Sequence, residues 1–239
     1  MPPFVARELE RLYGSFFSTM THFNASGRLE KISTYVAAKG GEISALFLFS
    51  MMRKKISVLN EVITVKPHDL LQFSNYIFST YDAIQLISFH AIQIDRVQLK
   101  RPVQRINCLE DIVLRLPDSN DEYFMRLGKS TRKTIKGYTN KLKRDFPSFN
   151  NQVYHNEAAD ELDIRTIIEL SRARLLMNGK VSTFDEAAIV RILHSVKVYG
   201  LVCVAKINGE ICAGSISYRV GKNYFMHVSA HDLFYDDYR

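Results

Sequence analysis

Asn208-Gly209 is where this sequence leaves the chain least freedom. Two apolar, β-rich runs, Leu201 to Ile207 and Ile211 to Tyr218, flank it. A type I′ turn needs positive φ at both central residues, which Asn-Gly tolerates best, so the pair predicts a tight antiparallel hairpin. Gly221-Lys222 then turns the chain into a third run, Tyr224 to Ser229, and the whole reads as a three-stranded meander. Two helical stretches precede it. One carries Leu162, Ile164, Ile167, Ile168 and Leu175 and can stop at Asn178-Gly179. The other opens at a capping box, Thr183 to Glu186, carries Ile189, Ile192, Leu193 and Val196, and ends at Gly200. A short strand at Gln152 to His155 comes before both.

The N-terminal half repeats the order of helix, then meander. Helical spacing runs from Val5 to Phe23 through Leu9, Leu12, Phe16 and Met20. Short β-rich runs follow at Ile32 to Ala38, Ile43 to Ser50 and Ile56 to Asn60, with Lys39-Gly40-Gly41 as a hairpin turn. Pro67 and Asp69 open a further helix through Leu70, Phe73, Ile77 and Phe78. Ala83 to Phe89 reads as a buried strand, and Ile112 to Leu116 as another that ends at Pro117. The pattern predicts an α/β chain of two similar halves, residues 1–107 and 108–239, related by a distant duplication.

Charge divides the chain differently. Of 32 basic and 25 acidic residues, eight basic ones lie between Arg126 and Arg144 with no acid among them until Asp145; without them the remainder is 24 against 25. The net +7 is therefore the property of one segment. Ser119 to Glu122 forms a capping box, and Phe124, Leu127, Ile135, Tyr138, Leu142 and Phe146 give one continuous apolar stripe, so a single helix is expected from there to Pro147. Its other faces carry the cations. Such a helix can be a solvated face, or can bind the phosphates of RNA, of coenzyme A or of an acidic polymer.

Three cysteines, Cys108, Cys203 and Cys212, are too few for a disulfide framework and read as reduced, mostly buried thiols. Glu8 and Glu10 interrupt any secretory h-region, and no run approaches 18 uncharged apolar residues, so no membrane span and a cytoplasmic setting are expected.

Two stretches resemble a known family. FMRLGKSTRKTIKGYTNKLKRDF, within Tyr123 to Phe146, is similar to the helix of the CelD-like (cellulose-biosynthesis) acetyltransferases and the FemAB-like transferases, in which a K-x-x-R-[RK] cluster follows a proline-terminated strand; here the cluster is Lys129, Arg132 and Lys133. Gly200 to Tyr238 resembles a second block of that family, with Gly209, Ala213, Tyr224, Ser229 and Asp232 at its marked positions. The resemblance implies tandem GNAT-like α/β halves, the second carrying acyl-CoA chemistry. It also implies a serine-proline-glycine phosphate loop after the meander. The sequence stops at Arg239 before such a loop, so the second half is expected to be incomplete and the chain, as it stands, inactive or barely active.

Within that resemblance, the strand Tyr224 to Ser229 is where an acyl-transfer centre belongs. Alternation places Phe225, His227 and Ser229 on one face and Tyr224, Met226 and Val228 on the other. His227 and His231 are the available bases, with Asp232 as an orienting partner. A core histidine satisfied by hydrogen bonds explains His227 equally well. Lys129, Arg132, Lys133 and Lys136 are the candidates for binding the phosphates of acetyl-CoA or another acyl-CoA. His227 and His231 do not make a metal pair, because a strand and its exit do not bring both rings to one point. The resemblance leads to an acyl-CoA-dependent N- or O-acyltransferase acting in exopolysaccharide or cell-envelope synthesis. The alternatives are a polyanion- or RNA-binding module without chemistry, and a FemAB-like transferase with an aminoacyl-tRNA donor.

Overall fold

The computed structural model describes residues 2–29, 31–95, 102–107 and 112–238. Cys108, read above as a reduced thiol, lies outside them. The chain divides into two compact units, residues 1–110 with 219–225, and residues 111–218 with 226–239.

In the first unit, helix α1 (Phe4–Tyr13) and helix α2 (Met20–Ala25) precede strands β1 (Ile32–Lys39), β2 (Glu42–Met52) and β3 (Lys55–Val58). The single helix expected over Val5 to Phe23 is broken. Gly14 takes φ +54° and its N–H returns to the Glu10 carbonyl at 2.9 Å, which ends α1 in the left-handed conformation glycine adopts most cheaply. A short 3₁₀ turn over Phe16–Ser18 follows, and the Thr19 side chain accepts from His22 N–H to start α2. Gly40 and Gly41, both at positive φ, close the β1–β2 hairpin as expected.

Strand β2 is buried on both faces, and its period of two assigns alternate residues to separate cores. Ala45, Phe47 and Phe49 join Ile56, Phe73 and Ile77 on one side, where Phe73 lies on helix α3 (Pro67–Thr80). Leu46 and Leu48 join Val5, Leu9 and Phe23 on the other. Past the end of β3 the β2 ladder is continued by other groups. Asn60, fully buried, accepts from Leu48 N–H at 2.8 Å and donates to Leu46 O at 3.3 Å, while the Tyr13 hydroxyl donates to Leu46 O and accepts from Leu46 N–H. The buried strand expected over Ala83 to Phe89 is reduced to β5 (Leu86–Ser88), an edge strand parallel to β3 with Leu86 exposed. Strands β4 (Ile63–Thr64) and β6 (Ile92–Gln93) form a separate parallel pair that the sequence pattern did not reveal. The first sheet runs β1-β2-β3-β5.

In the second unit, the strand expected over Ile112 to Leu116 does not form. Its residues are highly exposed, Ile112 fully and Val113 by 81%, since β-propensity supplies no neighbouring strand to complete a ladder. The expected long basic helix is two helices, α4 (Asn120–Arg126) and α5 (Lys129–Asp145), separated at Leu127-Gly128, whose ψ values of 145° and 149° are extended. The Ser119 hydroxyl caps α4 by accepting from Glu122 N–H at 3.1 Å. Glu122 pairs with Arg126. Arg132 donates to the carbonyls of Met125 at 3.1 Å and Phe124 at 3.5 Å, so one cation is committed to closing α4. No α4 or α5 residue is buried, and Ile135 and Tyr138 of the expected stripe remain part-exposed.

Strand β7 (Asn150–His155), helices α6 (Glu161–Met177) and α7 (Glu186–Tyr199), and strands β8 (Gly200–Ile207), β9 (Glu210–Val220) and β10 (Asn223–His231) follow, with sheet order β10-β9-β8-β7. Asn208 and Gly209 hold φ of 53° and 86°, the positive pair that the β8–β9 turn requires. The α7 cap is Asp185, which accepts from Ala188 N–H at 2.7 Å, in place of the expected Thr183; the Thr183 carbonyl instead accepts from Asp185 N–H. Ile164, Ile167 and Ile168 of α6 and Ile189, Ile192 and Val196 of α7 are buried, as are Val202, Val204 and Ile216 of the sheet. At Gly214 a Cβ would stand 2.5 Å from Ile167 Cγ1, so glycine is what lets α6 close on the sheet. The α/β class and the arrangement of helices with mainly antiparallel sheets are as expected. Among the described residues no helix is long and apolar enough to cross a membrane.

Candidate functional site

The second sheet carries an open cavity of about 610 Å³. Its walls come from β7 (Asn151, Val153), β8 (Cys203, Ala205), β9 (Ala213, Ser215) and β10 (Ser229, His231), with Leu142 of α5 and the tyrosines 235 and 238. These tyrosines belong to a 3₁₀ segment, Leu233–Tyr238, that follows β10. The aromatic tail is therefore packed against α5. The Tyr235 and Tyr238 rings each lie 5.3 Å from that of Phe146, Lys141 Nζ sits 4.4 Å from the Tyr238 centroid, and the Tyr238 hydroxyl donates to Asp145 at 3.1 Å. Desolvation first, and the Asp145 carboxylate after it, push the Tyr238 pKa up. The hydrogen bond from Arg144, 2.8 Å long, is the main cause that holds Asp145 below the usual carboxylate range.

His231 is the charged-capable side chain of the cavity wall. Its Nε2 lies 2.7 Å from Asp236 Oδ1, and the imidazole is only 20% exposed. Asp232, the partner expected from the sequence, turns the other way: its Oδ1 accepts from Phe234 N–H at 2.9 Å and starts the 3₁₀ segment, while its own N–H reaches Cys212 O. A tight turn after β10 returns Asp236 to the histidine five residues earlier. That reversal has no marker in the sequence beyond the aspartates themselves.

Ser229 shares the cavity wall with His231. His227 does not line it. Its ring is tilted against buried Tyr218 with centroids 5.3 Å apart and stands edge-on to Phe184 at 6.3 Å. One side of the residue still meets solvent, but this crowding disfavours the imidazolium and lowers the pKa from the ordinary histidine value. Burial likewise raises the Tyr218 phenol well above its usual range and raises the Cys212 thiol. Cys203 and Cys212 are both free; Cys203 is half-buried at the cavity and Cys212 buried. Of the four phosphate-binding candidates on α5, Lys129, Lys133 and Lys136 are exposed, while Arg132 is the residue that closes α4.

The fold, two units of helices and mainly antiparallel sheet with the cavity in the second, is one that solved structures share. The crystal structure of FemX is similar over 98% of this chain and 80% of its own, with a TM-score of 0.61 and 10% identity. L-PGS from Bacillus licheniformis matches over 97% of this chain and 69% of its own, at a TM-score of 0.47 and 14% identity. A conserved protein of unknown function from Bacteroides thetaiotaomicron matches at 16% identity and a TM-score of 0.37, over 48% of this chain and 39% of its own length. No family model matches the chain. No curated protein matches it by sequence.

Proposed function

We propose that the chain transfers an acyl or aminoacyl group to an amine or hydroxyl acceptor at the cavity of the second sheet. The observation that carries this reading is the His231–Asp236 pair, 2.7 Å apart, on the wall of a cavity large enough for a small organic group. With Nε2–H donating to Asp236, Nδ1 carries the lone pair and serves as general base. The acceptor nitrogen or oxygen attacks the carbonyl carbon and gives up its proton to His231. The new C–N or C–O bond forms, and the bond to the leaving oxygen or sulfur breaks. That leaving atom takes the proton back from the imidazolium.

Two donors fit the motifs. The FemAB-like resemblance supplies an aminoacyl-tRNA, and the CelD-like resemblance an acyl-CoA used in polysaccharide or envelope synthesis. The likeness to FemX along nearly the whole chain favours the first. Either donor carries phosphates, which exposed Lys129, Lys133 and Lys136 would meet.

The test supplies hydroxylamine as acceptor and follows hydroxamate formation above the protein-free rate, from mixed aminoacyl-tRNAs in one arm and acetyl-CoA in the other. Turnover is expected with aminoacyl-tRNA, and His231→Gln is expected to lower it by about 10²–10⁴-fold, the usual contribution of a general base. Asp236→Asn should lower kcat and move the pH profile. Absence of turnover with both donors, or turnover untouched by His231→Gln in a folded variant, overturns the proposal.

A further inference from the structure

The walls of the cavity carry a second message, about which group it accepts. Among the described residues that line it, no side chain is Lys, Arg, Asp or Glu, and its one titratable base, His231, is already paired with Asp236. Apart from Asn151, Gln152, Ser215, Ser229 and His231, its strand floor is built from small or apolar side chains. Val153 stands opposite Cys203 across β7–β8, Cys203 opposite Ser215 across β8–β9, and Ala205 opposite Ala213 one step further along. An ion placed here would find no oppositely charged side chain in the lining to replace the water it gives up, whereas an apolar chain gains with each CH₂ it buries. Such a wall discriminates by charge more strongly than by length.

We propose that this cavity holds the uncharged, largely apolar part of the transferred group, with Cys203, Ala205 and Ala213 setting how far that chain can reach. This rests on the transferase reading above and deepens it, because it selects donors carrying an apolar acyl chain or apolar aminoacyl side chain over cationic or acidic ones.

The experiment needs no turnover, so it is separate from the test of catalysis. Two probes of equal length are compared, heptanamide and 6-aminohexanamide, which differ only in a terminal methyl against a terminal ammonium. Alkylation of Cys203 by iodoacetamide is followed by peptide mass spectrometry in the intact chain. Heptanamide is expected to slow Cys203 alkylation saturably, by the factor 1 + [L]/Kd, and to raise the melting temperature by mass action, while 6-aminohexanamide does neither. Ala213→Leu should abolish the heptanamide effects in a chain that keeps its far-ultraviolet circular dichroism. If that variant does not fold, Ala205→Val serves the same purpose with a smaller intrusion. Equal protection and equal melting shifts by both probes overturn the proposal, and so does the absence of both effects with heptanamide. Absence of hydroxamate formation with both donors alongside charge-selective protection would instead remove the catalytic assignment and leave the apolar site standing.

Discussion

Replacing Gly214 by alanine adds one methyl at the tightest point between α6 and the second sheet. The new Cβ would lie 2.5 Å from Ile167 Cγ1, 2.6 Å from Cδ1 and 3.0 Å from the Cys203 carbonyl oxygen. Ordinary carbon contacts are about 3.5–4.0 Å, so the Ile167 side chain must retreat by roughly 1 Å from a position with no exposed surface. Overpacking of this kind typically costs about 1–3 kcal/mol. Gly214 has no positive φ, so the penalty comes from contact and not from backbone conformation. Urea denaturation of Gly214→Ala should therefore lower stability by about 2 kcal/mol. Ile167→Ala alone should cost about 2–5 kcal/mol as a cavity. In the double variant the new methyl occupies space that Cγ1 and Cδ1 have vacated, so Gly214→Ala becomes neutral or stabilising there. A coupling of at least about 1 kcal/mol is the expected signature of touching residues. If the two changes add, or if Gly214→Ala is harmless with Ile167 present, the contact argument is wrong.

Two further outcomes follow from buried groups. Asn60→Ala strands the Leu48 N–H beside the core of Val5, Leu9 and Phe23 and should cost about 1–3 kcal/mol in chemical denaturation; Asn60→Asp should be worse, since a carboxylate oxygen then faces the Leu46 carbonyl. His227 has a folded pKa below its unfolded value of about 6.5. The unfolded chain thus binds the proton more readily. The stability linked to this group is fully present above that pH and is lost as pH falls through the folded value. His227→Phe, which keeps a ring against Tyr218 and Phe184, should narrow the difference in unfolding free energy between pH 7.5 and 5.0; an unchanged difference refutes the assignment.

What the sequence made legible was whatever is written locally. The Asn208-Gly209 turn, the Lys39-Gly40-Gly41 turn, the Pro67 helix start and the Asn178-Gly179 stop all appear where turn chemistry places them. Errors arose where a tertiary decision overrode a local pattern. Ile112 to Leu116 has strand composition but no partner strand among the described residues, and the stripe from Phe124 to Phe146 has helical spacing yet is cut by two extended residues and left largely uncovered. At the candidate site, Ser229 could be read from strand alternation and His231 as a base at the strand's exit, and both reach the cavity wall, whereas His227, on the same predicted face as Ser229, does not. Asp236 could not, because its partnership depends on an irregular turn with no period. Nor could the cavity itself, whose floor of small residues resembles any well-filled sheet until its covering elements are in place.

The use of Asn60 and Tyr13 along β2 has an effect on behaviour before folding is complete. A strand whose amides and carbonyls are already occupied by a carboxamide and a phenol offers no template to a second chain, and Leu46 to Leu48 is one of the most apolar stretches in the molecule. Those two side chains come from outside the meander, one from α1 and one from beyond β3. Until they dock, the strand is an adhesive edge. In this chain, resistance to β-aggregation during synthesis therefore depends on how promptly α1 arrives, a race that a slow N-terminal helix would lose even though the finished protein is no less stable.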